Sequence, residues 1–268
     1  MSLETARRVT TWDIEAGSQQ WPLIIAHRGE TGVAPENTLP AFHRALDGDA
    51  DGVELDVRLT RDGKLIVFHD RSLGRTSDGH GLVDHYTLGE LRSLDVGSWF
   101  SPAFNGERPP TLDQVFESLP MDYLLNIEMK VVINGMKMIA QQVAAAITRH
   151  QRWASTLVAS FNPLALYYLR RIEPRLARGY IWSRHHPWPI RSRFLSPLVQ
   201  PHWYDPAHDS YSARLHRRFH RQRQRVLAWD QDFDGDLELM GTLHLDAVIT
   251  DNLATLVQRK RELSFYDP

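Results

Sequence analysis

Glu54 and Asp56 stand two residues apart in Val53-Glu54-Leu55-Asp56-Val57-Arg58-Leu59, where charged and apolar residues alternate strictly. Side chains on a strand point alternately to its two faces, so both acids share one face and the valines and leucines share the other. A half-exposed strand with a wet charged face explains that heptapeptide taken alone. The neighbouring residues add to it. Asp62-Gly63 is a hairpin signal. A two-residue loop there pairs Arg61 with Lys64 and sets Asp56 directly across from His69, with Cβ atoms ~5 Å apart. Glu54, Asp56 and His69 are then expected on one face, in a register that a bulge would shift. A third acid, Glu128, interrupts with Lys130 the apolar run from Tyr123 to Ile133, which otherwise reads as a buried parallel strand. Buried charges are costly unless paired or metal-bound. A Glu128–Lys130 pair capping a strand end is the plain alternative to function. Three carboxylates gathered at one mouth point instead to a divalent cation, and hard oxygen donors suit Mg²⁺ or Ca²⁺.

His27 ends the first apolar run, Trp21 to Ala26, and is followed by Arg28 and Gly29. With His69 it completes a set of two histidines, three acids, an arginine and a lysine. A bound metal would neutralise phosphate charge and lower the pKa of a bound nucleophile. Arg28 and Lys130 would hold phosphate oxygens, and the histidines exchange protons near neutral pH.

Such a set needs a scaffold that brings several strand ends together. Strand candidates are Trp21–Ala26, Val53–Leu59 with its hairpin partner Lys64–Phe68, Tyr123–Glu128, Leu157–Ser160, Ala177–Ile181, Leu198–Gln200, Val226–Trp229 and Ala247–Thr250. Helical patterns alternate with them, giving eight βα units. A helix is expected after Asn37/Thr38, with Leu39, Phe42 and Leu46 on one face. Thr87-x-x-Glu90 and Thr111-x-x-Gln114 match helix-opening capping boxes. Residues 71–110, rich in Gly, Ser, Asp and Pro, read mainly as an insertion. The expectation is a single α/β TIM-barrel domain with a core over about 22–260, since 268 residues suit one such barrel. With 31 Lys+Arg against 33 Asp+Glu, the net charge of -2 gives no global field for nucleic acid. The chain has no cysteine, which excludes disulfides, thiolate metal sites and cysteine nucleophiles. No secretory h-region and no stretch of ~20 apolar residues is visible, so the cytoplasm is the expected location and no stable membrane insertion is expected.

The ordered segments resemble the glycerophosphodiester phosphodiesterase family. They are Ala26-His-Arg-Gly, Pro35-Glu-Asn-Thr, the stretch from Asp51 to Lys64, Phe68-His-Asp, Arg75-Thr-Ser-Asp-Gly, Pro110-Thr-Leu, Asn126-Ile-Glu-Met-Lys, Ala159-Ser-Phe and Asp246-Ala-Val-Ile-Thr-Asp. The resemblance spans about Leu23 to Leu256. It implies a TIM barrel with an insertion after the second strand unit, and one divalent cation held by Glu54, Asp56 and Glu128. It implies His27 and His69 as the acid–base pair, Arg28 and Lys130 as phosphate contacts, and Glu36 near the site. Phe161 and Trp229 fall among the substrate-binding positions. The implied reaction turns small glycerophosphodiesters into glycerol 3-phosphate and an alcohol, with attack by the glycerol hydroxyl to give a cyclic phosphate as a proposed first step. Where that family reads Trp-Thr-Val-Asn, this chain has Trp229-Asp230-Gln231-Asp232, in which Asp232 replaces an amide with a charge.

Two features invite other readings. Six arginines lie between Arg214 and Arg225, with His216 and His220; a solvated helix face is preferred over a nucleic-acid patch. The segment from Trp182 to Pro189 follows a strand end and carries two tryptophans, where packing is preferred over a membrane-surface role. The competing functions are a lysophospholipase D acting on acylated substrates, a non-catalytic phosphodiester-binding barrel and, more distantly, a metal-dependent sugar isomerase. Oligomeric state is left open.

Overall fold

The computed structural model describes residues 11–15, 21–229 and 245–266. Nine strands follow in chain order: β1 (Leu23–Ala26), β2 (Gly52–Leu59), β3 (Leu65–Val67), β4 (Leu124–Met129), β5 (Thr156–Ser160), β6 (Ala177–Trp182), β7 (Trp203–Pro206), β8 (Arg225–Trp229) and β9 (Ala247–Thr250). All but β3 pair in parallel, and β1 bonds to both β2 and β9, so eight strands close a ring with helices in the connections. This is the (β/α)₈ barrel expected from the sequence. The parallel strands are buried on both faces, which is why they read as nearly continuous apolar runs. Val53, Leu55, Val57 and Leu59 face outward into the layer shared with the helices.

Local signals hold where their chemistry is explicit. Thr38 caps α1 (Leu39–Asp47), its hydroxyl accepting from the Ala41 N–H. Both capping boxes form, Thr87 with Glu90 and Thr111 with Gln114. Residues 71–110 pack over β3 through a small core of their own, which includes Ile66, Phe68, Leu73, Val83, Leu91 and Val96.

Two expectations fail. Strand β3 is antiparallel to β2, but Val57 faces Val67 and Leu59 faces Leu65, so Asp56 lies opposite Phe68 and not His69. The loop has three residues, Arg61-Asp62-Gly63, because Gly63 adopts φ 71° and donates to the Thr60 carbonyl. A left-handed residue at the end of the loop adds one position and shifts the register by one. The second failure is the Leu198–Gln200 strand. Ser196–Val199 forms a short helix, and the sixth barrel strand is Trp203–Pro206. Trp-Tyr-Asp-Pro breaks any apolar run: an acid faces the interior and a proline ends the strand.

The N-terminal end of the barrel is plugged from outside the repeat. Trp12, 1% exposed, donates its indole N–H to the carbonyls of Leu125 and Ser155. Trp203 meets it edge-on at 5.2 Å and donates to the Trp12 carbonyl. The interior is thus filled from below and left open only at the C-terminal strand ends, where sites form in this architecture.

Candidate active site

A cavity of about 430 Å³ opens at those C-terminal ends, and His27, Arg28, Glu54, His69, Glu128 and Lys130 line one side of it. The register explains the grouping. In the parallel β2–β4 pair, Asp56 lies beside Glu128 and Glu54 beside Asn126, and side chains two apart share the inner face. Glu54, Asp56 and Glu128 each offer an oxygen within 4.8 Å of the others, all buried.

Three buried carboxylates repel one another. Burial, and then the charge of Asp56, raise the pKa of Glu54; burial and Asp56 raise that of Glu128 against the pull of Lys130. Asp56 is held the other way. Burial works to raise it, but Lys130, His69 and Arg28, with the Asn37 hydrogen bond, keep it well below the usual carboxylate range. Lys130 Nζ lies 2.8 Å from Glu128 and 3.1 Å from Asp56. Arg28 and Lys130 therefore leave the triad short of positive charge. Three converging oxygen donors with unneutralised charge fit a hard divalent cation.

Each histidine is oriented by its own carboxylate. His27 Nδ1 is 2.7 Å from Asp251 Oδ1, and His69 Nδ1 is 2.6 Å from Asp70 Oδ1. Both rings line the cavity, so Nε2 is the atom left to face it. Burial works to lower the His27 pKa, but the Asp251 bond and the Glu54 charge outweigh it and the net shift is upward. For His69 burial prevails, helped by Lys130 and Arg28 against Asp56 and Asp70, and the shift is downward. His69 comes from beyond the hairpin, and Arg58 on the inner face of β2 fixes its main chain by donating to the His69 carbonyl at 2.8 Å.

Arg28 has φ 56°, an uncommon conformation for an arginine that turns its backbone N–H onto Glu54 at 3.1 Å. Its guanidinium lies between Glu36 and Asp56, at 3.0 and 3.4 Å. Glu36 is itself clamped by two bonds of 2.7 Å from Arg75, so it sits behind Arg28 as a support and outside the cavity lining. Asn37, at φ 57°, donates to Asp56 Oδ2 at 2.8 Å and accepts the Asp56 N–H. Phe161 and Trp229 form the far wall, with ring centroids 5.7 Å apart and planes at 87°.

The supporting groups Asn37, Asp70, Arg75 and Asp251 had no assigned role in the sequence reading, although each lies inside a segment that carried the resemblance. Asp205, on the far wall, had no sequence signal. The charged run before β8 forms helix α2 (Ala213–Arg221), with Arg214, Arg217, Arg218 and Arg221 exposed and Phe219 buried on Tyr204. The Trp182–Pro189 segment divides: Trp182 is buried, with the Arg193 guanidinium 4.3 Å from its ring centre, whereas Trp188 is 59% exposed and touches the equally exposed Phe194. Asp230, Gln231 and Asp232 lie outside the described residues.

The glycerophosphoryl diester phosphodiesterase family profile matches residues 27–255. The chain belongs to this family. A glycerophosphodiester phosphodiesterase of Caldanaerobacter subterraneus subsp. tengcongensis is 35% identical over 243 residues, covering 90% of this chain and 98% of that relative. One from Bacillus altitudinis is 39% identical over 245 residues with the same shares covered. Among solved structures, a phosphodiesterase of Oleispira antarctica in complex with the product sn-glycerol-3-phosphate superposes with a TM-score of 0.82 at 30% identity, covering 90% of this chain and 97% of that one. The matched stretch includes every residue that lines the cavity.

Proposed function

We propose that this protein hydrolyses small glycerophosphodiesters, deacylated phospholipids among them, to glycerol 3-phosphate and an alcohol. The observation that carries the reading is one cavity lined by two histidines, each tied through Nδ1 to a carboxylate, beside a buried acid triad flanked by Arg28 and Lys130. Glu54, Asp56 and Glu128 would hold one divalent cation, Mg²⁺ or Ca²⁺. When bound, that cation supplies positive charge to the phosphate oxygens. Arg28 and Lys130 hold the remaining phosphate oxygens by charge-assisted hydrogen bonds. One imidazole takes the proton from the attacking oxygen, and the other gives a proton to the departing alkoxide. Asp251 and Asp70 fix the tautomers, so that Nε2 is the working atom on each ring. Phe161 and Trp229 cover the carbon portion of the substrate. The cytoplasm is the location assumed for this chemistry.

A lysophospholipase D has one observation in its favour, the exposed Trp188 and Phe194 beyond β6. Among the described residues no helix is long and apolar enough to cross a membrane. Glycerol 3-phosphate release from a panel of diesters, with lysophosphatidylcholine included, tests both readings. Turnover of the small diesters supports the first, and turnover of the lysolipid alone supports the second.

A further inference from the structure

The far wall contains one group that the chemistry above does not use. Asp205 on β7 is 1% exposed and lines the cavity, and neither of its carboxylate oxygens has a hydrogen-bond partner among the described residues. Buried polar groups are nearly always satisfied, and a bare carboxyl is costly. The fold nonetheless makes room for this one. Gly179 on the adjacent strand β6 is a residue whose added Cβ would lie 2.3 Å from Asp205 Oδ2. The Asp205 main chain is pinned as well, its carbonyl accepting from Trp229 Nε1 at 3.0 Å. The residue is thus held in place with its side chain unspent, next to the Phe161–Trp229 pair.

We propose that Asp205 reads the vicinal diol of the substrate's glycerol moiety, one carboxylate oxygen for each hydroxyl, while Phe161 and Trp229 flank the glycerol carbons. This rests on the glycerophosphodiester reading above. Two adjacent hydroxyls match two adjacent oxygens, and carboxylates serve the same purpose on sugar hydroxyls elsewhere. A cationic head group would be the other natural partner. The diol is favoured because burial and the charge of Glu128 push this carboxyl's pKa well up. Hydroxyls satisfy the acid in either protonation state, whereas an ammonium requires the anion. An acyl chain on either hydroxyl removes one of the two donors that the carboxyl would bind. The site therefore selects deacylated diesters over lysophospholipids, despite the exposed aromatics outside.

The test compares kcat/KM on glycerophosphocholine, which has the diol, with kcat/KM on bis(p-nitrophenyl) phosphate, which lacks it. In Asp205→Ala that ratio is expected to fall about tenfold or more, the scale of a buried hydrogen bond to a substrate hydroxyl left unmade. The wild-type protein should lose a similar factor when the substrate hydroxyl farther from the phosphate is replaced by hydrogen, a result that stands even if the variant does not fold. Glycerol 3-phosphate binding, read by calorimetry, should weaken at least tenfold in the variant. Equal losses on both diesters, no loss on either, or a loss confined to choline and ethanolamine esters with glycerophosphoglycerol spared would each overturn the proposal. So would wild-type turnover of lysophosphatidylcholine as efficient as that of glycerophosphocholine. If no glycerophosphodiester is hydrolysed while glycerol 3-phosphate binding still depends on Asp205, the functional reading falls and the diol subsite stands.

Discussion

Strands β1, β2 and β4 turn His27, Arg28, Glu54, Glu128 and Lys130 into the cavity, with Asp56 buried beside them, whereas β5 to β9 turn in Phe161, Ile181, Trp229 and Ile249 with the single acid Asp205. The two half-barrels share one backbone plan and differ in how their side chains are satisfied. On the charged side nearly every group has a protein partner: Asp251 on His27, Asp70 on His69, Asn37 on Asp56, Glu36 on Arg28. That side is preorganised, which is what charge stabilisation in a transition state requires. The other side offers surface and one unsatisfied carboxyl, which suits recognition. On the proposed function, catalysis and selection divide between the halves, and substitutions on each should fail in different ways.

The largest effects belong to the histidines. His27→Ala and His69→Ala should each lower turnover about 10²-fold or more, the usual scale for a positioned acid or base, while metal binding by calorimetry survives. A nitrophenyl diester separates the two tasks. Its leaving group needs little protonation, so the variant lacking the acid should recover much of its rate and the other should not. Undiminished turnover of natural diesters in both variants would remove the division at its root.

Glu54→Gln and Asp56→Asn should weaken metal affinity together with turnover, since each removes a charge from the triad. Unchanged affinity in both would mean that the cation is held elsewhere. Asn37→Ala acts on the same half from behind. It bares Asp56 and puts alanine at φ 57°, so a loss of roughly 2–4 kcal/mol in chemical denaturation is expected. Phe161→Ala, on the other half, should raise KM several-fold and change kcat little. The reverse pattern would place Phe161 with the catalytic groups.

The smallest effect concerns acid stability, and it tests whether the halves are independent. His202, just before β7, accepts the Arg178 N–H. Burial, with Arg178 and Arg225 nearby, lowers its pKa to about 4. The unfolded chain, with its imidazole near 6.5, binds the proton first as pH falls. Stability is therefore lost between about pH 6.5 and pH 4 and is level on either side. His202→Gln should flatten that part of the stability curve, equally with and without metal. A flattening seen only with metal present would show that the halves are coupled.

The charged half was legible in the sequence because its chemistry interrupts regular patterns: Glu54 and Asp56 break an alternating strand, and Glu128 with Lys130 break an apolar one. Its supports were less visible. Asp251, Asp70 and Asn37 act through contacts that join residues 19 to 224 positions apart or a side chain to its immediate neighbour, and no local period encodes either. The one-residue error in the hairpin came from Gly63, whose left-handed conformation lengthened a loop that composition alone left ambiguous. On the apolar half, Phe161 and Trp229 look like ordinary core, and the strand that holds Asp205 was misplaced because Asp and Pro hid it. Trp12, which closes the barrel from below, lies in a segment with no periodic signal.

The most direct test of the account is glycerol 3-phosphate release from glycerophosphocholine by the purified protein, before chelation, in excess chelator, and after Mg²⁺ or Ca²⁺ is restored. The account predicts turnover that chelation abolishes and one of these cations recovers. Full activity in excess chelator would contradict it.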